Sequence, residues 1–366
     1  MTMKQGRVNA IQLFGLGIIS MLATLLLTVP GELLRLAGRG AWWTPLVAAV
    51  PAVPFAYAVG KRAGKQGDAV ALLRRLLGPF VSRVLLLLVW LAVAIDMAII
   101  TREVAEGASA SFSSAIVPMP VLVALVLVPG MWLAWFGPVV IGRVAAVISA
   151  GIIVTYVVGF LAIVPLMHVL WTRPVIPTDA RFLGGAPIEL SWLWLIEPAL
   201  IGVLIMHEVQ PSARRVAGGI LAGATASGAI LLSGAIWLVI ADFGPTRAAE
   251  FAVPILHTAK ELPYSIHLER IDSLVITVEL LGALVKVGLF LWIWARVSEG
   301  IVRVRTAYLL PSLAVASGIS SIVMFANPLA LDLSIYSYGL YILPTFFVLM
   351  AVSYLPGRPW ASRSPV

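Results

Sequence analysis

The chain contains no cysteine and few charged residues for its length. Charged side chains account for 11% of its 366 residues and hydrophobic ones for 61%, whereas about a quarter of residues are charged in an average soluble domain. The lack of cysteine excludes disulfides, thiolate catalysis and cysteine-ligated metals or clusters. The four histidines show no metal-ligand spacing, and glycine-rich phosphate loops and hydrolase motifs are absent. Enzymatic function is therefore disfavoured, and no cofactor is expected.

The apolar residues form long continuous runs. Runs of about 20 apolar residues match the thickness of a bilayer's hydrocarbon core, where only helices or closed barrels satisfy the backbone. Because the runs do not alternate with polar residues, helices are predicted. Candidate spans lie at residues 9–30, 41–59, 81–107, 118–136, 142–167, 190–210, 217–240, 272–297, 306–326 and 334–355. The sequence thus predicts an all-α membrane protein of ten transmembrane helices, in a single domain covering residues 1–366.

The positions of the cations predict how these spans are oriented. With the amino terminus inside, sixteen of the 25 Lys and Arg residues fall in cytoplasmic segments and seven in external ones, while Arg102 and Lys286 fall within spans. The positive-inside rule then places both termini in the cytoplasm. The net charge of +8 is explained by this topology, so nucleic-acid binding is not expected.

The ten spans divide into two sets of five, in residues 1–168 and 169–366. Because five is odd, the second set enters the membrane from the opposite face, as in the inverted repeats of many secondary transporters. Such transporters bind substrate at mid-membrane, where the first helix of each half is broken. Both first helices here end in proline, at Pro30 and Pro211. We therefore expect a transporter-like bundle with a site between the first and sixth spans.

Two connections are expected to have structure of their own. Residues 61–79 place five basic residues around leucines, a pattern typical of a short amphipathic helix on an anionic membrane surface. Residues 241–271 form a mixed-charge external segment that is too long for a simple turn.

Ionisable residues within spans are costly and are therefore functional candidates. In the eighth span Asp272, Glu279 and Lys286 are spaced by seven, so they form one stripe along the helix. The stripe indicates either ligand or ion binding or a structural ion pair, and Asp272 itself suits a helix cap. Glu279 lies about 10 Å from Lys286 by helical rise, so we expect Lys286 to pair with a carboxylate on another span.

The third span carries two kinds of ionisable residue. Arg102 and Glu106 are four apart and can pair along the helix, which makes a self-neutralised pair near the external interface the preferred interpretation. Asp96 and Glu103 are seven apart, and Asp96 lies deeper in the span. Asp96 is therefore the stronger functional candidate.

Glu197, Pro198 and Gly202 predict an interruption of the sixth span. Proline lacks a backbone donor and glycine is flexible, so free amides and carbonyls can face a ligand here. An interfacial carboxylate is the alternative interpretation of Glu197. The matching interruption of the first span is expected at residues 20–24, Ser-Met-Leu-Ala-Thr, where small and hydroxylated side chains cluster.

Four stretches resemble the spore germination permease family of GerAB type, the B subunits of germinant receptors in endospore-forming bacteria. They are residues 9–30, in which Gln12 leads the first span; residues 38–46, Gly-Arg-Gly-Ala-Trp-Trp-Thr-Pro-Leu; residues 102–118; and residues 243–286, with Phe243, Gly244, Pro254, Pro263, the run Glu-Arg-Ile-Asp at 269–272, and Lys286. The chain departs from the family pattern at Leu22 and Ala23, where glycine is usual, and at Leu204, where an acidic residue is usual. Both departures fall at the presumed ligand site.

The resemblance implies membership of the amino acid, polyamine and organocation transporter superfamily, with a five-plus-five inverted repeat of the LeuT and APC type. The third and eighth helices are neighbours in that fold, which makes Asp96 the first candidate partner of Lys286. The candidate ligand-binding residues are Ser20, Leu22, Ala23, Thr24, Asp96, Glu197, Gly202, Leu204, Thr277 and Glu279, with Lys286 and Asp96 assigned to ion coupling or gating.

The resemblance also implies a function. We expect a germinant-sensing receptor subunit in the inner membrane of the spore, which binds a small amino-acid-like ligand and acts with germinant receptor A and C subunits. Ligand binding would shift a conformational equilibrium that these partners read. A proton-coupled amino-acid symporter and an ion-conducting channel subunit are the alternatives, because all three functions need the same mid-membrane polar groups.

Overall fold

The computed structural model describes residues 6–111, 117–163, 167–173, 180–251, 253–261, 271–302 and 304–325. Secondary structure in these ranges is helical, apart from one isolated parallel bridge between Val8 and Val209. The helices are α1 (Ala10–Ala37), α2 (Thr44–Gln66), α3 (Ala69–Ser111), α4 (Met119–Trp135), α5 (Pro138–Ile163), α6 (Gly185–Leu195), α7 (Glu197–Ile205), α8 (Pro211–Arg215), α9 (Ala217–Phe243), α10 (Pro245–Ala248), α11 (Pro254–Glu261), α12 (Ile271–Val302) and α13 (Thr306–Met324). Short 3-10 turns occupy Gly38–Trp43, Val169–Thr172, Ala180–Leu183 and Met206–Glu208.

The helices coincide with the first nine predicted spans. In the described part of the chain, seven helical stretches are long and apolar enough to cross a membrane, and Ala10–Ala23 and Met119–Trp135 are shorter apolar helices. The tenth predicted span, at residues 334–355, lies outside the described residues. The all-helical class is confirmed.

α1 is the central helix of the bundle, and it corrects two expectations. It packs against α5, α6, α7, α9 and α12. It continues through Pro30 to Ala37, where Gly38 at φ 55° follows it, so Pro30 does not end the first span. It is also continuous through residues 20–24, and the expected interruption there is wrong. The segment contains neither glycine nor proline, and the Ser20 hydroxyl is satisfied by donating to the Gly17 carbonyl over 2.9 Å.

α2 and α9 approach closely because glycines lie at their contact. A Cβ added to Gly60 would lie 3.0 Å from the Cα of Gly218, and one added to Gly64 would overlap with the Arg214 carbonyl. Small residues spaced by four allow such close backbone packing between membrane helices. Both helices also pack against α7.

Both connections contain helices in the part of the chain that the structure describes, with one difference in their bounds. α2 continues to Gln66, and the next helical segment begins at Ala69 and is separated from the rest of α3 at Gly78, which has φ 76°. The amphipathic helix expected at residues 61–79 is therefore shared between two helices. In the segment at residues 241–271 the structure places α10 and α11.

Candidate ligand-binding site

The sixth predicted span is interrupted at Ile196, as Glu197 and Pro198 predicted. α6 ends at Leu195 and α7 begins at Glu197, and between them Ile196 has φ −89° and ψ −11°. Pro198 lies in the first turn of α7, where its missing N–H has no intrahelical partner to lose. The hydroxyl of Thr225 on α9 donates to the Leu195 carbonyl over 3.2 Å. α9 thus stabilises the break.

Lys286 of α12 is fully buried and forms an ion pair with Glu197 at this break. Its Nζ lies 3.2 Å from Oε1 and 3.1 Å from Oε2 of Glu197, and the two side chains are 0% and 4% exposed. The same ammonium lies 4.5 Å from the centroid of the Trp194 ring and 5.5 Å from that of Phe290, within the range of cation–π attraction. The pair connects the interrupted helix to α12.

Glu197 is a carboxylate partner of Lys286 that sequence reasoning did not choose. The expectation that Lys286 pairs with a carboxylate on another span is confirmed, and the pairing with Asp96 stays a prediction. Glu197 is the first residue of α7, so the break itself places its carboxylate beside α12. Asp96 and Glu103, 1% and 0% exposed, lie within electrostatic range of Glu197. We call Asp96, Glu103, Glu197 and Lys286 the buried charge cluster: three carboxylates and one ammonium.

The remaining ionisable residues of the third and eighth spans form separate pairs. Nε of Arg102 lies 2.7 Å from Oε1 of Glu106, which confirms the predicted pair along the helix. Glu279 is 3% exposed and accepts a hydrogen bond at Oε1 from the hydroxyl of Tyr156 on α5. The stripe of three on α12 is therefore divided: Lys286 belongs to the buried charge cluster, Glu279 has its own partner, and the side chain of Asp272 lies outside the described residues.

One of the candidates on α1 lies at its contact with α12. Ser20, Leu22 and Ala23 are all buried, and a Cβ added to Gly282 of α12 would lie 3.6 Å from the Cβ of Ala23. The structure thus brings Ala23 to the part of α12 that lies one turn from Glu279. The side chain of Thr24 lies outside the described residues.

Two other candidates have local packing functions. Gly202 is where α7 meets α9, because a Cβ at this position would overlap with the Cδ1 of Leu221. Leu204 is 7% exposed on the same helix. Thr277 is exposed and its hydroxyl donates to the Ser273 carbonyl of its own helix over 2.6 Å. The structure therefore does not bring Thr277 together with the buried charge cluster.

Sequence reasoning missed three residues that shape the site. Tyr156, Trp194 and Thr225 carry polar atoms in the middle of apolar runs, and a buried tyrosine or tryptophan usually needs a partner for its polar group. That signal was available for Tyr156 and Trp194. Thr225 could not have been assigned to the Leu195 carbonyl without knowing that α9 packs beside the break.

A large open cavity lies at the end of the bundle that holds residue 6 and the carboxyl end of α12. Its volume is about 1010 Å³, and its polar lining residues are Arg143, His207, Glu208, Arg296, Glu299 and Thr306. Nη2 of Arg296 lies 3.4 Å from Oδ2 of Asp68, and its Nη1 lies 2.9 Å from Oε2 of Glu299. These contacts join α12 to the turn between α2 and α3 beside the cavity.

Comparison with known proteins now gives the family. Residues 7–328 match the spore germination protein family. The chain belongs to this family. Comparison with curated proteins finds no match. A solved structure of Mhp1, a nucleobase-cation-symport-1 family transporter in a closed conformation with bromovinylhydantoin bound, is similar with a TM-score of 0.62 and 14% identity, over 96% of this chain and 82% of that one.

The likeness to the transporter is one of fold. At 14% identity it shows that this spore germination protein has a transporter's helical fold. The family, the fold and the apolar helices together make the chain a multi-pass membrane protein.

Proposed function

We propose that this spore germination protein is the ligand-sensing membrane subunit of a germinant receptor. The observation that carries the proposal is the break at Ile196 with the buried ion pair of Glu197 and Lys286 beside it. Broken helices with ionisable residues at mid-membrane are the usual substrate sites of transporters with inverted repeats. The proposed architecture is ten helices in a five-plus-five repeat, although the two first spans differ, since α1 is continuous.

The chemistry of the buried charge cluster favours a ligand with an ammonium group. Asp96, Glu103 and Glu197 are three buried carboxylates, and Lys286 is the ammonium among them. Ionised groups are costly within a membrane unless they face an opposite charge, and carboxylates outnumber ammonium groups in the cluster, so a ligand ammonium is favoured at this place. A small amino acid supplies that group.

Ligand binding would act on the link between α7 and α12. A ligand ammonium that binds Glu197 competes with Lys286, which then turns toward Asp96 or Glu103 on α3. α3 is also bonded to α12 through Trp90, whose Nε1 donates to the Ser298 hydroxyl over 2.8 Å. The exchange of partners therefore biases the packing of three helices, and a ligand that prefers one packing shifts the equilibrium toward it.

The orientation and partners complete the proposal. Segments predicted to be cytoplasmic meet at one end, where Val8 donates to the Glu208 carbonyl and accepts from Gln210, both over 2.9 Å. Segments predicted to be external meet at the other, where Arg39 donates to the Arg173 carbonyl over 3.0 Å. Both contacts support the division of these segments between two sides of the membrane. The cation distribution then assigns the termini to the cytoplasm, and the resemblance to the GerAB type supplies the inner membrane of the spore and the A and C subunits that would read the change.

Ligand-induced stabilisation of the full chain in lipid nanodiscs tests this function. A panel of amino acids, amines without carboxylate and acids without amine is screened by melting temperature. We expect amino compounds to stabilise the wild type and to lose this effect in Glu197→Gln. Glu250→Gln, which removes an exposed carboxylate, is the matched control and should behave as wild type. Stabilisation by acids alone, or an unchanged response in Glu197→Gln, would contradict the proposal.

Uptake into proteoliposomes separates the alternatives. A sensor binds the amino compound without accumulating it, a symporter accumulates it when a proton gradient is imposed, and a channel conducts ions without a stoichiometric solute. Proton-driven accumulation by the isolated chain would replace the sensor by the symporter.

A further inference from the structure

Glu279 is a buried carboxylate with one oxygen left without a hydrogen bond. Its Oε1 accepts from the Tyr156 hydroxyl, and in the described part of the chain its Oε2 has no hydrogen-bond partner. The side chain is 3% exposed. A buried carboxylate oxygen without a donor is costly in a membrane protein, so this oxygen needs a group that neutralises it.

Tyr156 also lines a small cavity on the side of α11. The cavity has a volume of about 40 Å³ and lies between α5, α9, α11 and α12. Its walls are largely apolar, and its lining includes three residues with hydroxyls, Thr155, Tyr156 and Thr258. Thr258 is 4% exposed, and its hydroxyl has no hydrogen-bond partner among the described residues. A space of this size holds about one or two waters, and the hydroxyls of Tyr156 and Thr258 can bond them.

The chemistry of the site selects a proton rather than a metal ion. Hard cations need about six oxygen ligands, whereas Glu279 and Tyr156 provide two side chains. In the ranges that the structure describes, no group of three or more His, Asp or Glu residues could hold a metal. The adjoining cavity, with a volume of about 40 Å³, fits water.

Other titratable groups near α12 lie on the helices that pack against it. α4 carries none. The described ones on the other neighbours are Tyr156 and Arg143 on α5, Glu32 and Arg35 on α1, His257 and Lys260 on α11, Tyr308 on α13, Glu197 on α7, and Asp96, Arg102, Glu103 and Glu106 near the middle of α3. Glu32 is bonded to Arg35 and Arg102 to Glu106. Tyr156 is the group that contacts Glu279 directly.

We infer that Glu279 is a proton-binding site that is loaded through Tyr156 from the cavity lined by Thr258. In loading, Tyr156 gives its hydroxyl proton to Glu279, and its oxygen takes a proton from a hydronium in the cavity, which becomes water. In release the same bonds form and break in reverse. This site is separate from the buried charge cluster and goes beyond the proposed function. The proposed function is tested by ligand binding at Glu197, and this inference is tested by proton binding at Glu279.

Proton release changes the contact between α5 and α12. When Glu279 is ionised, the bond from Tyr156 becomes charge-assisted and stronger. When Glu279 is neutral, the bond is weaker and the two helices are freer to separate. The separation of α5 and α12 should therefore follow the occupancy of one proton.

Spin-label distances in the full chain test the inference without any ligand. The absence of cysteine allows labels at Val154→Cys on α5 and Leu274→Cys on α12, both exposed, at 60% and 55%. We expect the distance distribution in nanodiscs to change with pH along a one-proton curve. Glu279→Gln, which can still accept from Tyr156, should lose the change, and the control Glu250→Gln should keep it.

A second variant and a spectroscopic signature distinguish loss of the proton site from misfolding of a variant. Tyr156→Phe should lose the distance change, because it removes the bond whose strength follows the proton. It should keep the protonation step itself in pH-difference infrared spectra, with the midpoint moved to higher pH, because the carboxylate loses the donor that stabilises its charge. In pH-difference infrared spectra the wild type should show the carbonyl stretch of a buried carboxylic acid that Glu279→Gln lacks. A distance that follows sodium instead of pH, no change with pH, or an unchanged response in Glu279→Gln would each overturn the inference.

Discussion

Replacing Lys286 by methionine removes the ammonium and keeps most of the side chain's length and apolar contacts. Glu197 then stays buried beside Asp96 and Glu103 without a cation, since Lys286 is 0% and Glu197 4% exposed. Breaking a buried ion pair by removing one partner costs about 3–5 kcal/mol. Folded proteins are stable by only about 5–15 kcal/mol, so Lys286→Met should lose a large part of the stability.

The double variant Lys286→Met with Glu197→Gln separates the ion pair from the packing. Both charges of the pair are gone in the double variant. Its loss in free energy of unfolding should therefore be smaller than the sum of the two single losses, by a coupling energy of about 0.5–3 kcal/mol. Reversible unfolding in mixed micelles measures the stability losses and the coupling energy, and melting temperatures in nanodiscs check them. Lys260→Met, which removes a partly exposed lysine of α11, is the control. If Lys286→Met costs no more than this control, or if the losses simply add, the reasoning on the pair is refuted.

Two further predictions concern packing and the open cavity. The leucine side chain in Gly202→Leu should overlap with Leu221, and this overpacking should cost about 1–3 kcal/mol of stability. Adding Leu221→Ala should recover part of that loss in thermal melts. No recovery would contradict the contact between the two positions. Arg296→Gln removes a partly exposed ion pair with Asp68, so its stability cost should stay below about 1 kcal/mol. A cysteine at Val140 in the cavity wall should be labelled faster in this variant than in a chain that keeps Arg296. Unchanged labelling would show that the ion pair does not restrict access to the cavity.

Hydropathy alone located the helices, because the bilayer fixes how long an apolar run must be. It could not locate helix ends. Pro30 lies inside α1, and a proline in a membrane helix is tolerated when neighbouring groups satisfy the carbonyl it leaves free. α1 packs against eight other helices, which sequence does not show.

The break in the sixth span was predictable because its cause is local. Glu197 and Pro198 change the backbone hydrogen bonds of their own helix, so their effect does not depend on distant residues. The ion pair depends on which faces of α3, α7 and α12 meet. That is set by tertiary packing, so sequence could assign Lys286 a need for a carboxylate but could not identify Glu197 as a partner.

An experimental structure of the full chain in a nanodisc, with the amino compound that stabilises it best, tests the central proposal most directly. The proposal predicts the ligand ammonium beside the break, within about 3 Å of a Glu197 oxygen, with Lys286 turned toward Asp96 or Glu103. A ligand bound elsewhere, with the pair of Lys286 and Glu197 still at the 3.1 Å seen here, would contradict it.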